Sequence, residues 1–394
     1  IMHPIDEHLD HTRREFLATA ASGLGGLALG AMLTQDGVLA PPHACAADAS
    51  TAAGSPQDNP LAPKPPQFPA KAKSCIFIFM AGASSQLDLF DPKPKLKQLD
   101  GQKLPESLTK NVRFAFIQKD TATVMASKQK FNKHGQCGME LSGLLPHLGS
   151  VADDLLLIRS LHSEQFNHHP GQLMMQCGRG IFGLPTMGSW LTYGLGSESQ
   201  NLPGYVVLTA GRGSSGGATL WQSGFLPSVY AGVRFRDRGE PVLNLANPAG
   251  LPPELQRRGL DALGKLNRRR YQEIQDPEIA SRISSYELAF RMQSAAPELI
   301  DLSREDPKTL SMYGVDRPEP KGGGRGSSGD TYQSFARNCL LARRMVERGV
   351  RFVNIIYASW DHHSNLDKEL PYNAGCVDQP FDEVRRESEV VPIG

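Results

Sequence analysis

Two short stretches of this chain concentrate side chains that bind metals and move protons. One is Ala358-Ser-Trp-Asp-His-His-Ser-Asn365, which brings Asp361, His362, His363 and Asn365 close together. A carboxylate beside one or two imidazoles is a donor set that suits zinc, manganese or iron. The other runs from Ser160 to Gln172 and places His162, His168 and His169 around Asn167. Asn167 can cap a helix that has Pro170 in its first turn and Gly178 at its end. The free amides and partial positive charge of such a helix start suit an oxyanion such as phosphate or sulfate. A smaller set, Asp88 and Asp91, follows Gly82 and a run of small residues. These acids read either as a metal or substrate site, or as a helix cap at Asp88 and a turn at Asp91-Pro92.

Elements that could position these groups are visible on either side of them. Cys75 to Met80 is apolar at every position, as expected of a parallel-sheet strand covered on both faces, and Arg351 to Tyr357 is a second strand of this type. Ligands of open α/β sheets bind beyond the carboxyl ends of the strands, so Asp88 and the group from Asp361 to Asn365 are expected at one sheet edge. The pattern further predicts a short helix over Leu141–Val151, a buried strand over Leu155–Ser160, a helix over Met187–Leu195 and a strand over Tyr205–Thr209. A long helical region over Pro253–Asp301 and an amphipathic helix over Thr331–Arg348, closed by Gly349, follow. The fold class is therefore α/β with a mostly parallel central sheet. The Gly- and Pro-rich stretch 317–330 reads as a flexible surface insertion. Gly213, Ser215 and Gly217 form a G-x-S-x-G match that would make Ser215 a nucleophile. No clear helix follows it, and a surface loop is the better reading.

A formal net charge of +1, with acids and bases scattered, excludes a charge-driven nucleic-acid or anionic-membrane partner. The six cysteines form no C-x-x-C pair and have no zinc-finger spacing. Near the amino terminus, Arg13-Arg14 precedes Phe16-Leu17, a mild Gly/Ala-rich apolar run and an Ala44-Cys45-Ala46 region. This is the pattern of a twin-arginine export signal over residues 1–47, too short and glycine-rich for a stable membrane span. It implies the twin-arginine translocation machinery as a partner and a periplasmic or extracellular location. Residues 48–70, rich in Pro, Ala and Ser, read as a disordered linker, and a single domain over 71–394 follows.

Taken together, the paired arginines, Phe79 to Pro94, the Asn167-His168 helix start ending at Cys177-Gly178, and Trp360 to Asn365 resemble the bacterial domain-of-unknown-function family numbered 1501, in the alkaline phosphatase and sulfatase superfamily. The resemblance implies a three-layer sandwich with metals at the strand ends, a divalent cofactor (zinc, manganese or calcium), and metal-assisted hydrolysis of an anionic ester or a sulfated saccharide. It places Asp88 as a first-strand metal ligand and Asp361, His362, His363 and Asn365 as a later ligand group. His168 and Asn167 would be catalytic, and His162 and His169 would bind substrate. His168-His169-Pro170-Gly171-Gln172 stands where sulfatases carry Cys/Ser-x-Pro-x-Arg, so chemistry through a modified cysteine or serine is not implied. Members of the family continue beyond the Asp-His loop with a Gly-Glu-Phe-Gly-Arg-Thr-Pro motif that this sequence lacks. The resemblance therefore also implies a sheet and metal set incomplete at the carboxyl end. A non-catalytic metal- or saccharide-binding exported protein is the alternative.

Overall fold

Segments 205–210 and 352–357 carry no charged side chain and are buried, as such segments require, whereas the equally uncharged segment 75–80, expected to be covered on both faces, is mostly half-buried with Cys75 exposed. The computed structural model describes residues 59–387 apart from 111–117, 119, 323, 325 and 326. The signal pattern, the first part of the linker and residues 388–394 lie outside the described residues.

The chain enters through β1 (Cys75–Met80), followed by α1 (Gln86–Leu89), α2 (Pro94–Leu99) and α3 (Glu106–Thr109). A hairpin of β2 (Phe131–His134) and β3 (Met139–Ser142) leads to α4 (Pro146–Ser150), α5 (His168–Cys177) and α6 (Met187–Leu195). Then come β4 (Tyr205–Ala210), β5 (Val233–Phe235), α7 (Pro253–Ile274), α8 (Pro277–Ile300) and α9 (Pro307–Tyr313). The order closes with α10 (Thr331–Glu347), β6 (Phe352–Tyr357) and α11 (Leu366–Glu387).

The main sheet is parallel throughout in the order β1-β6-β4-β5. Met80 and Ala210 both pair with Tyr357, so β1, β6 and β4 end level and their following loops leave from one edge. Successive residues point to opposite faces. On one face Val353, Ile355, Tyr357, Val206 and Leu208 join a core with Phe335, Cys339 and Leu340 of α10 and Leu370 and Val377 of α11. On the other, Phe352, Ile356, Tyr205 and Val207 pack with Leu173 of α5. Each such side chain contributes about 1.5–3 kcal/mol by leaving water. Asn354 is the polar exception on β6. Its amide donates to Gln176 Oε1 at 3.0 Å, fixing α5 to the sheet with its amino end toward the loops.

Several expectations need correction. Leu155–Ser160 is not a strand but an extended stretch and turn, with Leu156 87% exposed. An apolar run becomes a strand only where a neighbour completes its ladder, and here Leu155 to Leu157 instead line a cavity of about 200 Å³ with Met80, Leu89 and Trp360. The helix expected from Leu141 begins at Pro146, because Leu141 belongs to the antiparallel hairpin. That hairpin turns at Gly135 and Gly138, both left-handed, and the Asp153 carboxylate accepts the Gln136 and Cys137 N–H groups inside the turn. The long helical region is two helices, broken at Gln275 (φ +55°) and restarted by the Asp276 side chain, which accepts from Glu278 N–H.

Of the expected linker, residues 59–64 are anchored: Ser197 N–H donates to Leu61 O, and Lys64 N–H to Leu195 O. The expected flexible insertion is pinned on both sides, since Arg317 donates to Gly375 O at 2.6 Å and Glu319 accepts from Ser327, Tyr332 N–H and Tyr372. No helix among the described residues is long and apolar enough to cross a membrane.

Candidate functional site

The loop after β6 and the start of α5 meet at the carboxyl edge of the sheet. His168 is the first residue of α5, and its Nε2–H donates to Asp361 Oδ2 at 2.8 Å across 193 residues of sequence. His363 Nε2 bonds the same oxygen. His168, Asp361 and His363 each offer one ligand atom, and all three atoms lie within 4.8 Å of one another. Their side chains are 48%, 34% and 69% exposed, so the group opens to solvent. Burial opposes ionisation of Asp361, but the hydrogen bonds and charge of His168 and His363 outweigh it and hold its carboxyl below the ordinary carboxylate value.

The loop reaches this position through close backbone contacts. Trp360 N–H donates to Ala81 O at 3.3 Å, joining the β6 loop to the β1 loop. Gly82 (φ +103°) lies so close that a Cβ there would stand 2.6 Å from Asp361 N. Ser359 (φ +86°) and Asn365 (φ +52°) bring the chain round through left-handed conformations that non-glycine residues seldom adopt.

Asp88 lies at the third position of α1, where Ser85 Oγ–H donates to its Oδ2 at 2.6 Å. It is 7% exposed and faces a cavity of about 330 Å³ that is also lined by Lys128, His362, His363, Asn365 and Asp367. Its carboxylate is outside the three-atom cluster, although it shares the cavity wall with His363. Asp91 is ion-paired with Lys93 and Arg159. His362 Nε2 is turned to the Asn373 amide at 3.0 Å, and it is His363 that meets Asp361. Asn365 lines the cavity.

Asn167 occupies the position before α5 without a side-chain capping bond; its carbonyl accepts from Gly171 N–H. His169 Nε2 meets Thr219 Oγ1 at 3.0 Å and sits edge-on to Phe182, while His162 Nδ1 lies 3.3 Å from Ser160 O. The Ser215 hydroxyl donates to Gln172 Oε1 at 3.4 Å, and a 3₁₀ turn, not an α-helix, follows. Sequence reasoning missed Asn373 and Ser85, and gave Gln172 no role beyond standing where sulfatases carry an arginine. Ser85 carried a signal, being a cap-type residue three before Asp88.

The sequence model of the family described as "Protein of unknown function (DUF1501)" matches residues 72–386. The chain belongs to the DUF1501 family. The match covers the sheet, α5 and the Asp361 loop, so every residue of the cluster lies inside the DUF1501 region. No curated protein and no solved structure matches the chain.

Proposed function

We propose that His168, Asp361 and His363 hold a divalent metal, and that this DUF1501 protein is an exported, sulfatase-like hydrolase of sulfate or phosphate esters. The observation that carries the reading is the convergence of two imidazoles and an ionised carboxylate, from segments 193 residues apart, on one point at the sheet's carboxyl edge. Two histidines and one carboxylate are a donor set of open zinc sites, which keep a further position for water or substrate. When bound, such an ion supplies Lewis acidity and lowers the pKa of water.

The protein's own groups have separable parts in this scheme. Asp361 contributes the negative charge that offsets the cation. His168 and His363 present Nε2 atoms now occupied with the Asp361 oxygen. Because His168 opens α5, the unpaired amides of that helix start beside the cluster, where an ester oxyanion would be bound. Asp88 and Lys128 face the adjoining cavity, where the remainder of the substrate would rest.

The test is a calorimetric zinc titration of the purified protein and of Asp361→Asn, with p-nitrophenyl phosphate and p-nitrophenyl sulfate turnover measured on both. Wild-type binding that is lost in the variant, with metal-dependent turnover, is the expected result. Equal binding by the two proteins refutes the site. His168-His169-Pro170-Gly171-Gln172, standing in place of a nucleophile motif, favours a second reading in which metal is bound without catalysis. Zinc binding without turnover of either ester would select it.

A further inference from the structure

The Asp361 loop is gripped from below by one buried amide that is not itself part of the cluster. Asn373, on the second turn of α11, is fully buried. Its Oδ1 accepts from the buried Tyr357 hydroxyl at 2.7 Å. Its Nδ2 donates to Ser359 O at 2.8 Å and to His362 Nε2 at 3.0 Å. These three partners use both amide protons and an oxygen lone pair, and only this orientation satisfies them. The reverse flip would set Oδ1 against the Ser359 carbonyl. Since Nδ2 can only donate, His362 Nε2 must accept, and the His362 proton resides on Nδ1.

The grip falls where the loop is least able to hold itself. Ser359, whose carbonyl Asn373 holds, is in the left-handed region at φ +86°, a conformation that persists only when its surroundings impose it. His362 stands between Asp361 and His363, so the two residues fixed by Asn373 bracket Asp361 in sequence. Tyr357 is the last residue of β6, and its hydroxyl satisfies the amide oxygen on the side away from the loop.

We propose that Asn373 is the positioning residue of this site. It locks the Ser359–His362 backbone and the His362 tautomer, so that Asp361 and His363 present their ligand atoms toward His168. This rests on the reading that the cluster binds metal. Outer groups that orient metal ligands typically change affinity by about 10–100-fold when altered.

Two substitutions separate the two sides of the amide. Asn373→Asp keeps an acceptor for Tyr357 but replaces the donors to Ser359 and His362 with a carboxylate. Tyr357→Phe removes the sheet-side bond and leaves both loop-side bonds in place. Zinc titration is expected to show affinity about 10–100-fold weaker in Asn373→Asp and within about 2-fold of wild type in Tyr357→Phe. Long-range ¹⁵N–¹H spectra of the imidazoles, recorded without metal, are expected to show an unprotonated His362 Nε2 in wild type and a protonated one in Asn373→Asp. A protonated Nε2 in the wild type overturns the proposal, as does zinc affinity in Asn373→Asp equal to that of Tyr357→Phe. If the wild type binds no zinc, the metal reading fails alone, and the proposal is then decided by the metal-free spectra. Loss of the left-handed Ser359 carbon shifts in Asn373→Asp supports it, and their retention refutes it.

Discussion

Replacing Gly82 by alanine tests whether the site is set by the approach of two loops. The added Cβ would lie 2.6 Å from Asp361 N, 3.1 Å from Trp360 N and 3.2 Å from Trp360 C, all backbone atoms that cannot swing away. Restoring ordinary contact at 3.4 Å requires the 360–361 backbone to withdraw by about 0.8 Å. Metal–ligand distances tolerate about 0.2 Å, so such a movement would take Asp361 out of register with His168. Alanine at φ +103° adds backbone strain of about 1–3 kcal/mol, and the overlap adds about 1–3 kcal/mol more.

Gly101→Ala is the matched control, because Gly101 also has positive φ (+73°) but nothing lies within 4 Å of its Cβ position. Urea denaturation is expected to show Gly82→Ala about 2–6 kcal/mol less stable than wild type, with Gly101→Ala losing about 1 kcal/mol. Zinc titration of the folded fraction is expected to show at least a roughly 10-fold loss in Gly82→Ala alone, equivalent to about 1.4 kcal/mol. If Gly82→Ala matches Gly101→Ala in both stability and zinc affinity, the close approach does not set the site.

Two further outcomes follow from ionisable groups away from the site. The Glu287 carboxyl is held below its ordinary 4.5 by hydrogen bonds from Arg257, against the opposing effect of burial. A depressed folded value gives stability that is present above pH 4.5 and lost as pH falls from there through the lower folded value. Because both side chains are about one-third exposed, Glu287→Gln should cost no more than about 1 kcal/mol at pH 7 in thermal melts, with the difference vanishing in acid.

Asp378 behaves oppositely. Burial pushes its carboxyl above 3.8 despite bonds from His147 and Leu148 N–H at 2.9 and 2.8 Å, so its contribution is complete below pH 3.8 and declines as pH rises through the folded value. Asp378→Asn should flatten that decline in a series of melts against pH, while lowering stability by about 1–3 kcal/mol through the amide acceptor it loses. A melting profile whose pH slope is unchanged would refute the assignment.

The fold was legible wherever one segment alone carried the reason for its structure. β1, β4 and β6 are apolar at nearly every position, and Gly178 and Gly349, both left-handed, stand just beyond the last turns of α5 and α10. The failures have a different cause. Leu155–Ile158 has the composition of a strand, but whether it is one depends on a partner elsewhere in the chain. The β2–β3 hairpin was obscured because Leu141 suits a helix as well as a strand, and the pairing decided between them.

The site divides along the same line. The sequence by itself determined that Asp361, His362 and His363 sit together at a strand end, because covalent adjacency guarantees it. It could not choose between the two histidines, nor bring in His168 as their partner. That choice belongs to tertiary structure: Asn373, on the next helix, takes His362, while α5, tied to β6 through Gln176 and Asn354, delivers His168 to Asp361. Hydrogen-bond geometry at about 3 Å is fixed by the packing of whole elements against the sheet, and residue types along the chain do not encode it locally.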